Sequence, residues 1–233
     1  MLQSIEYNKK DNFYYIALLS APVLLTIYRY FFEAQDFMVY FPSLQTMEQG
    51  EVYAYILEHA SFFILLFIIP LLILKYFQKG EIIRQSFALP KFNRTILIGL
   101  IICFVLVVVN AYSGSSLPSV MSEYPLPRKL LSDQSMLVVY FFAYALLYYL
   151  PWEFFFRGFL LFGLDKKYGV MAAIMIQTIS SSLVHIGKPM EEMVGSIPFG
   201  ILTGIIAVYT RSIWYVLLLH ILLGVLTDMF VIF

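Results

Sequence analysis

The sequence predicts an all-α fold, a polytopic membrane bundle of about seven to eight transmembrane helices that forms a single domain over residues 1–233. Hydrophobic residues make up 61% of the chain and charged residues only 13%, whereas soluble proteins average roughly 45–50% and about 25%. The apolar residues also fall into runs near the about 20 residues that a helix needs to cross a bilayer. Since the bilayer interior offers no water to free backbone groups, each run is expected to be helical.

Three predicted spans lie in the amino-terminal half, each bounded by charged or turn residues. They are Phe13–Phe32, Val52–Tyr76 and Thr95–Tyr112. The region from Gly80 to Asn93 leaves room for an eighth span or a re-entrant segment.

Four further spans follow in the carboxyl-terminal half. They are Ser135–Leu164, Val170–Ile186, Met193–Thr210 and Ile213–Ile232. This half of the chain also carries most of the ionisable residues that fall within spans.

Basic residues predict the orientation. They collect in alternate loops, which face the cytoplasm by the positive-inside rule. With seven spans, the N-terminus then lies on the cytoplasmic side of the membrane, which we expect to be a bacterial plasma membrane. Basic and acidic residues balance at 15 each, which leaves no basic excess for nucleic acid. The basic residues of these loops are Lys9, Lys10, Lys75, Lys79, Arg84, Lys91, Arg94, Lys166, Lys167 and Arg211.

Four intramembrane side chains are the candidate site residues: Glu153, Arg157, His185 and His220. An ionisable group in mid-span costs about 2.5–3.5 kcal/mol, so it is usually paired, hydrated or functional. At about 1.5 Å rise per residue, Glu153 lies roughly 16–18 Å, His220 about 13 Å and His185 about 24 Å from the cytoplasmic end. Helix tilt can absorb such differences, so the carboxylate and both imidazoles are compatible with one pocket.

Structural explanations exist for the same residues. Glu153 and Arg157 are four apart and can form a plain ion pair, and membrane histidines often hydrogen-bond between helices. We interpret His59, beside Glu58 at a span boundary, as interfacial, and Gly200 and Gly204 as a surface for close helix packing.

A set of motifs in residues 134–233 resembles the CAAX-processing and bacteriocin-processing (CPBP) family of intramembrane endopeptidases, which includes the Ras-converting CAAX protease. The resemblance rests on order and spacing together, since each motif alone is weak. The motifs are Glu153-Phe-Phe-Phe-Arg157-Gly158, Ser182-Leu-Val-His185-Ile-Gly-Lys-Pro189, Gly200 to Gly204, Arg211-Ser-Ile-Trp214, and His220 with Asp228.

The resemblance implies a site built from Glu-Glu-x-x-x-Arg, Phe-x-x-x-His and His-x-x-x-Asn motifs, in which a glutamate and a histidine activate water for peptide hydrolysis. By this resemblance Glu153 is the second glutamate and His185 and His220 are the motif histidines. Three positions depart from the pattern: Trp152 replaces the first glutamate, Ser181 the phenylalanine and Gly224 the asparagine. Glu153 can substitute for the first glutamate and Asp228 for part of the asparagine's role.

Two chemistries remain open for such a site. Glu153, His185 and His220 form a recognised catalytic set for zinc or another divalent metal. Without metal, Glu153 and His185 would activate water directly. In both cases His220 or Arg157 would stabilise the oxyanion.

The sequence supports one leading function and two rivals. The first is an intramembrane (metallo)endopeptidase of the CAAX-protease type that cleaves a hydrophobic or prenylated peptide or protein beside membrane lipid. Trp152 favours a catalytically inactive relative, a scaffold or a peptide-binding or immunity protein. A proton-coupled transporter would use the same polar residues as a relay, although no internal repeat is present.

Overall fold

A computed structural model describes residues 7–233 and shows an all-α membrane bundle. Ten helices account for nearly all of its regular structure within these residues, with 3-10 turns at Pro42–Gln45 and Arg128–Leu131. The helices are α1 Lys9–Phe31, α2 Ala34–Tyr40, α3 Gly50–Gln78, α4 Glu81–Ser86, α5 Arg94–Ser115, α6 Pro118–Glu123, α7 Leu137–Tyr168, α8 Val170–Leu183, α9 Met190–Thr210 and α10 Trp214–Ile232.

Six helices in residues 7–233 are long and apolar enough to cross a membrane, namely α1, α3, α5, α7, α9 and α10. The chain is therefore an integral membrane protein, as predicted. The predicted fifth span, Val170–Ile186, differs, because its helix α8 ends at Leu183 and has only 14 residues.

Although short, α8 still connects the two ends of the bundle. It follows Lys167, whose Nζ pairs with Asp11 at 2.7 Å. It precedes Glu192, which accepts a hydrogen bond from Tyr124 in the loop at the opposite end. Seven helices thus run between the ends, and the described chain has the short helix α4 where an eighth span was considered.

The middle of α7 is the centre of the bundle. Phe154, Phe155, Phe156 and Phe159 are fully buried, and α3, α4, α8 and α9 pack around this stretch. A helix buried on all sides is expected to be apolar all round. Polar groups at this level are therefore enclosed by protein.

Two π-helical stretches interrupt α7, at Tyr144–Tyr149 and Phe154–Leu161. They flank Leu150–Glu153, which contains Pro151, a residue that removes one backbone donor from the helix. π-helical turns insert an extra residue and so change which side chains share a face. They set the directions in which Tyr149, Glu153 and Arg157 point.

Helices α5 and α10 pack side by side and present apolar surface outward. Side chains such as Ile101, Val105 and Val109 on α5 are more than half exposed. A contiguous apolar surface of this kind needs lipid around it.

His59 is not interfacial, as its sequence position suggested. It is fully buried, and its ring stacks on Tyr144 with centroids 5.1 Å apart. The prediction was wrong because α3 turns this face toward α7 instead of the bilayer surface.

Candidate active site

Glu153 and Arg157 form a buried ion pair on α7. Their side chains are 0% and 1% exposed, and Nε of Arg157 lies 3.3 Å from Oε2 of Glu153. Nη1 of Arg157 also donates to Oε1 at 3.3 Å. Because each charge is compensated by the other, the pair can persist inside the bundle.

Thr203 on α9 accepts a further hydrogen bond from the guanidinium of Arg157. Nη2 of Arg157 donates to Oγ1 of Thr203 at 2.5 Å, and that hydroxyl donates to the backbone oxygen of Phe199 at 2.7 Å. The guanidinium therefore ties α9 to α7. Enclosed in this way, the guanidinium of Arg157 has Glu153 and Thr203 as its polar partners.

His220 on α10 contacts the carboxylate directly. Its Nδ1 lies 2.6 Å from Oε1 of Glu153. An ionised carboxylate can only accept, so the proton of this bond belongs to Nδ1 and the lone pair of the neutral ring lies on Nε2. The ring itself is 13% exposed, whereas Glu153 is enclosed completely.

His185 lies just beyond the end of α8. Its Nδ1 donates to the backbone oxygen of Ser181 at 2.9 Å, because a carbonyl oxygen can only accept. This bond also leaves Nε2 as the free nitrogen. Ser181, which departs from the motif phenylalanine, thus orients the ring through its main chain.

The indole of Trp152 packs against both imidazoles. Its ring centroid is 5.3 Å from that of His185 and 5.7 Å from that of His220, with steep interplanar angles in both cases. Trp152 is only 2% exposed. The structure therefore brings Arg157 and His220 into direct contact with Glu153, whereas His185 contacts the Trp152 indole.

Glu192 is a carboxylate of the site that the sequence analysis missed. Its Oε1 lies 3.7 Å from Nε2 of His185, and its Oε2 accepts a hydrogen bond from the hydroxyl of Tyr124 at 2.7 Å. Burial and this carboxylate raise the pKa of Tyr124 above its ordinary value. The pair Glu191-Glu192 in the first turn of α9 looks like ordinary helix-start charge, so the sequence carried only a weak signal.

Asp228 does not join this arrangement. It is fully buried, and its two carboxylate oxygens have no hydrogen-bond partner within residues 7–233. The expected substitution for the motif asparagine is therefore not made by a contact of Asp228 with His220.

Gly200 and Gly204 have the packing role that their spacing predicted. A Cβ on Gly200 would lie 3.0 Å from Thr178, and one on Gly204 would lie 3.1 Å from Gln177. Nε2 of Gln177 donates to the backbone oxygen of Gly200 at 2.9 Å. Close approach of α8 and α9 thus depends on these glycines.

The donor set does not fit a divalent metal as it is arranged. Two ligands on one tetrahedral zinc, each at about 2.0–2.1 Å, stand about 3.3 Å apart, whereas His220 and Glu153 approach to 2.6 Å. The carboxylate is already neutralised by Arg157. Within the described residues, no group of three or more histidine, cysteine or acidic side chains is placed to hold a metal ion.

Comparison with known proteins supports the resemblance that the motifs suggested. Residues 134–226 match the family model described as Type II CAAX prenyl endopeptidase Rce1-like. No curated protein and no solved structure matches the chain significantly. The matched segment begins just before α7 and ends within α10, so it contains Glu153, Arg157, His185, Glu192 and His220.

Proposed function

We propose, on the premise that residues 134–226 are Rce1-like, that this membrane protein is an intramembrane endopeptidase that hydrolyses a peptide bond near the bilayer. The contact between Glu153 and His220 carries the proposal. An enclosed carboxylate bonded to one imidazole nitrogen leaves the other nitrogen as a base. The ion pair between Glu153 and Arg157 would not by itself require the imidazole of His220 beside the carboxylate.

His220 is the base that we assign. Glu153 is fully enclosed and bonded to Arg157, so water cannot reach it readily. The ring of His220 is partly accessible. Glu153 holds its Nδ1–H, fixes the tautomer and stabilises the imidazolium that forms, which makes Glu153 and Arg157 positioning residues.

The reaction follows from these roles. Nε2 of His220 takes a proton from water while the water oxygen bonds to the carbonyl carbon of the peptide. The C–N bond then breaks, and the proton on His220 passes to the leaving amine. The products are a carboxylic acid and an amine, and all protons are accounted for.

The substrate class that we propose is a hydrophobic peptide, with a prenylated carboxyl-terminal segment as the first candidate. The match to a prenyl endopeptidase family supports this choice. The outward apolar surface of the bundle would let a lipid-modified substrate approach through the bilayer. We further propose a plasma-membrane location with the N-terminus in the cytoplasm.

Purified protein in lipid nanodiscs tests the proposal when incubated with a farnesylated peptide ending in a CAAX sequence. Mass spectrometry should detect the shortened peptide, and His220→Phe should abolish the product. His59→Phe is the matched control, since this buried histidine makes no hydrogen bond within residues 7–233. Equal cleavage by the wild type and His220→Phe would overturn the assignment.

A chelator distinguishes the two chemistries. Because the donor set does not fit a divalent ion, we expect cleavage to continue in excess chelator. If activity disappears and returns on addition of zinc, Glu153 and His220 act as metal ligands, with zinc supplying an activated water.

A second candidate is a membrane protein that binds such peptides without cutting them. The observation that favours it is Trp152, which packs against both imidazoles and stands where the motif has a glutamate. Binding of the farnesylated peptide with no product over prolonged incubation would support this alternative.

A further inference from the structure

Gly224 lies one helical turn after His220, at the position where the motif has asparagine. A Cβ built on Gly224 would collide with Oη of Tyr149 and would lie 2.6 Å from its Cζ. Real Cβ atoms essentially never approach a neighbour within 3.0 Å. The phenol of Tyr149 therefore occupies the space into which a side chain at position 224 would extend.

Tyr149 is also close to the proposed catalytic pair. Its ring centroid lies 4.7 Å from that of His220. It stands four residues before Glu153 on α7, at the end of the π-helical stretch Tyr144–Tyr149. The residue is almost fully buried, with 4% of its surface exposed. Its hydroxyl thus reaches α10 one turn from His220.

We propose that Tyr149 is a catalytic residue that takes the place of the missing asparagine and donates its phenolic hydrogen to the substrate carbonyl oxygen. This inference rests on the proposed function. As water adds, negative charge develops on that oxygen, and a donor held in place stabilises it. The phenol is a neutral donor and remains protonated throughout the reaction.

The other polar groups are less suited to this role. Arg157 is committed to Glu153 and Thr203. Asp228 lies eight residues, about two helical turns, beyond His220 on α10. Tyr149 is a neutral donor whose hydroxyl lies against the backbone of α10 one turn from His220.

Removal of the hydroxyl alone is the first test. Tyr149→Phe should lower kcat on the farnesylated peptide by about 100–1,000-fold, as loss of one oxyanion donor does, with KM changed by less than about twofold. Tyr140→Phe is the matched control, since Tyr140 is fully buried and its hydroxyl has no partner among residues 7–233. A wild-type kcat in Tyr149→Phe would overturn the inference.

An exchange of side chains is the second test, and it remains informative if Tyr149→Phe unfolds. Gly224→Asn alone should fail to accumulate, because the new side chain collides with the phenol. Tyr149→Ala with Gly224→Asn should accumulate and recover more activity than Tyr149→Ala alone, since the amide then supplies the donor. Normal accumulation of Gly224→Asn alone, or a double variant no better than Tyr149→Ala, contradicts the inference.

A binding measurement separates this inference from the proposed function. A peptide aldehyde forms a hydrate that resembles the tetrahedral intermediate, whereas the corresponding alcohol does not. Tyr149→Phe should weaken binding of the aldehyde at least tenfold and leave the affinity for the alcohol unchanged. If the wild type cleaves no peptide but Tyr149→Phe still weakens binding of the aldehyde alone, the proposed peptide hydrolysis is wrong and the donor role of Tyr149 stands. If Tyr149→Phe weakens binding of both ligands equally, the donor role is wrong.

Discussion

Nδ1 of His220 lies 2.6 Å from Oε1 of Glu153, which joins α10 to the buried centre of α7. The same carboxylate pairs with Arg157, which in turn bonds to Thr203 on α9. Three membrane helices are therefore joined through the Glu153–Arg157 pair. Predictions about activity and about stability both follow from this arrangement.

Glu153→Gln should reduce the rate of peptide cleavage by at least about 100-fold. The neutral amide cannot stabilise the imidazolium of His220, and the corresponding change in a serine protease triad costs about 10⁴ in kcat. The measurement is initial rate per folded protein after size-exclusion chromatography. Glu58→Gln is the control, because Glu58 is a buried acid of α3 bonded to Tyr28 and Ala34. A Glu153→Gln variant within tenfold of wild type would contradict the proposed base.

Arg157→Met should destabilise the protein by about 3–5 kcal/mol, since it leaves Glu153 as an uncompensated buried charge. The double variant Glu153→Leu/Arg157→Met should regain most of that loss, because an apolar pair of similar volume no longer needs compensation. Thermal unfolding in detergent measures both effects. If the double variant is less stable than Arg157→Met alone, the ion pair is not the source of the loss.

Glu192→Gln should lower activity by about tenfold or more, because Glu192 is the carboxylate beside Nε2 of His185. Tyr124→Phe should have a smaller effect in the same direction, since it removes the hydrogen bond that orients Glu192. Glu191→Gln is the matched control on the same helical turn, where the carboxylate bonds only to Ser119 within the described chain. Equal rates for the two glutamine variants would exclude Glu192 from the site.

Trp152→Glu restores the motif residue but should reduce accumulation in the membrane. The position is 2% exposed and surrounded by Phe62, Tyr148 and Phe156, so a carboxylate there would be buried among aromatic rings. Trp152→Phe should accumulate normally because it keeps an aromatic ring packed against the imidazoles. Comparable yields and a higher cleavage rate in Trp152→Glu would show instead that the indole blocks a site that remains ready for the motif glutamate.

The sequence predicted the membrane bundle, the approximate limits of its spans and the four polar residues of the candidate site. These inferences depend on local properties. Apolar length decides whether a segment crosses the bilayer, and charge inside a span is conspicuous because it is costly. The short helix at Val170–Leu183, the buried position of His59 and the isolation of Asp228 from His220 departed from what the sequence indicated.

Tertiary structure alone decided which polar groups meet. Nothing in the spacing of Glu153 and His220 indicated that they touch. Nor did the sequence indicate that Trp152 packs against both imidazoles or that Tyr149 fills the space at Gly224. The physical reason is that such contacts depend on the rotation and relative height of helices far apart in the chain. Packing around the buried phenylalanines and the π-helical turns of α7 set the rotation and the relative height of these helices. Neither can be predicted from the hydrophobic length of a span.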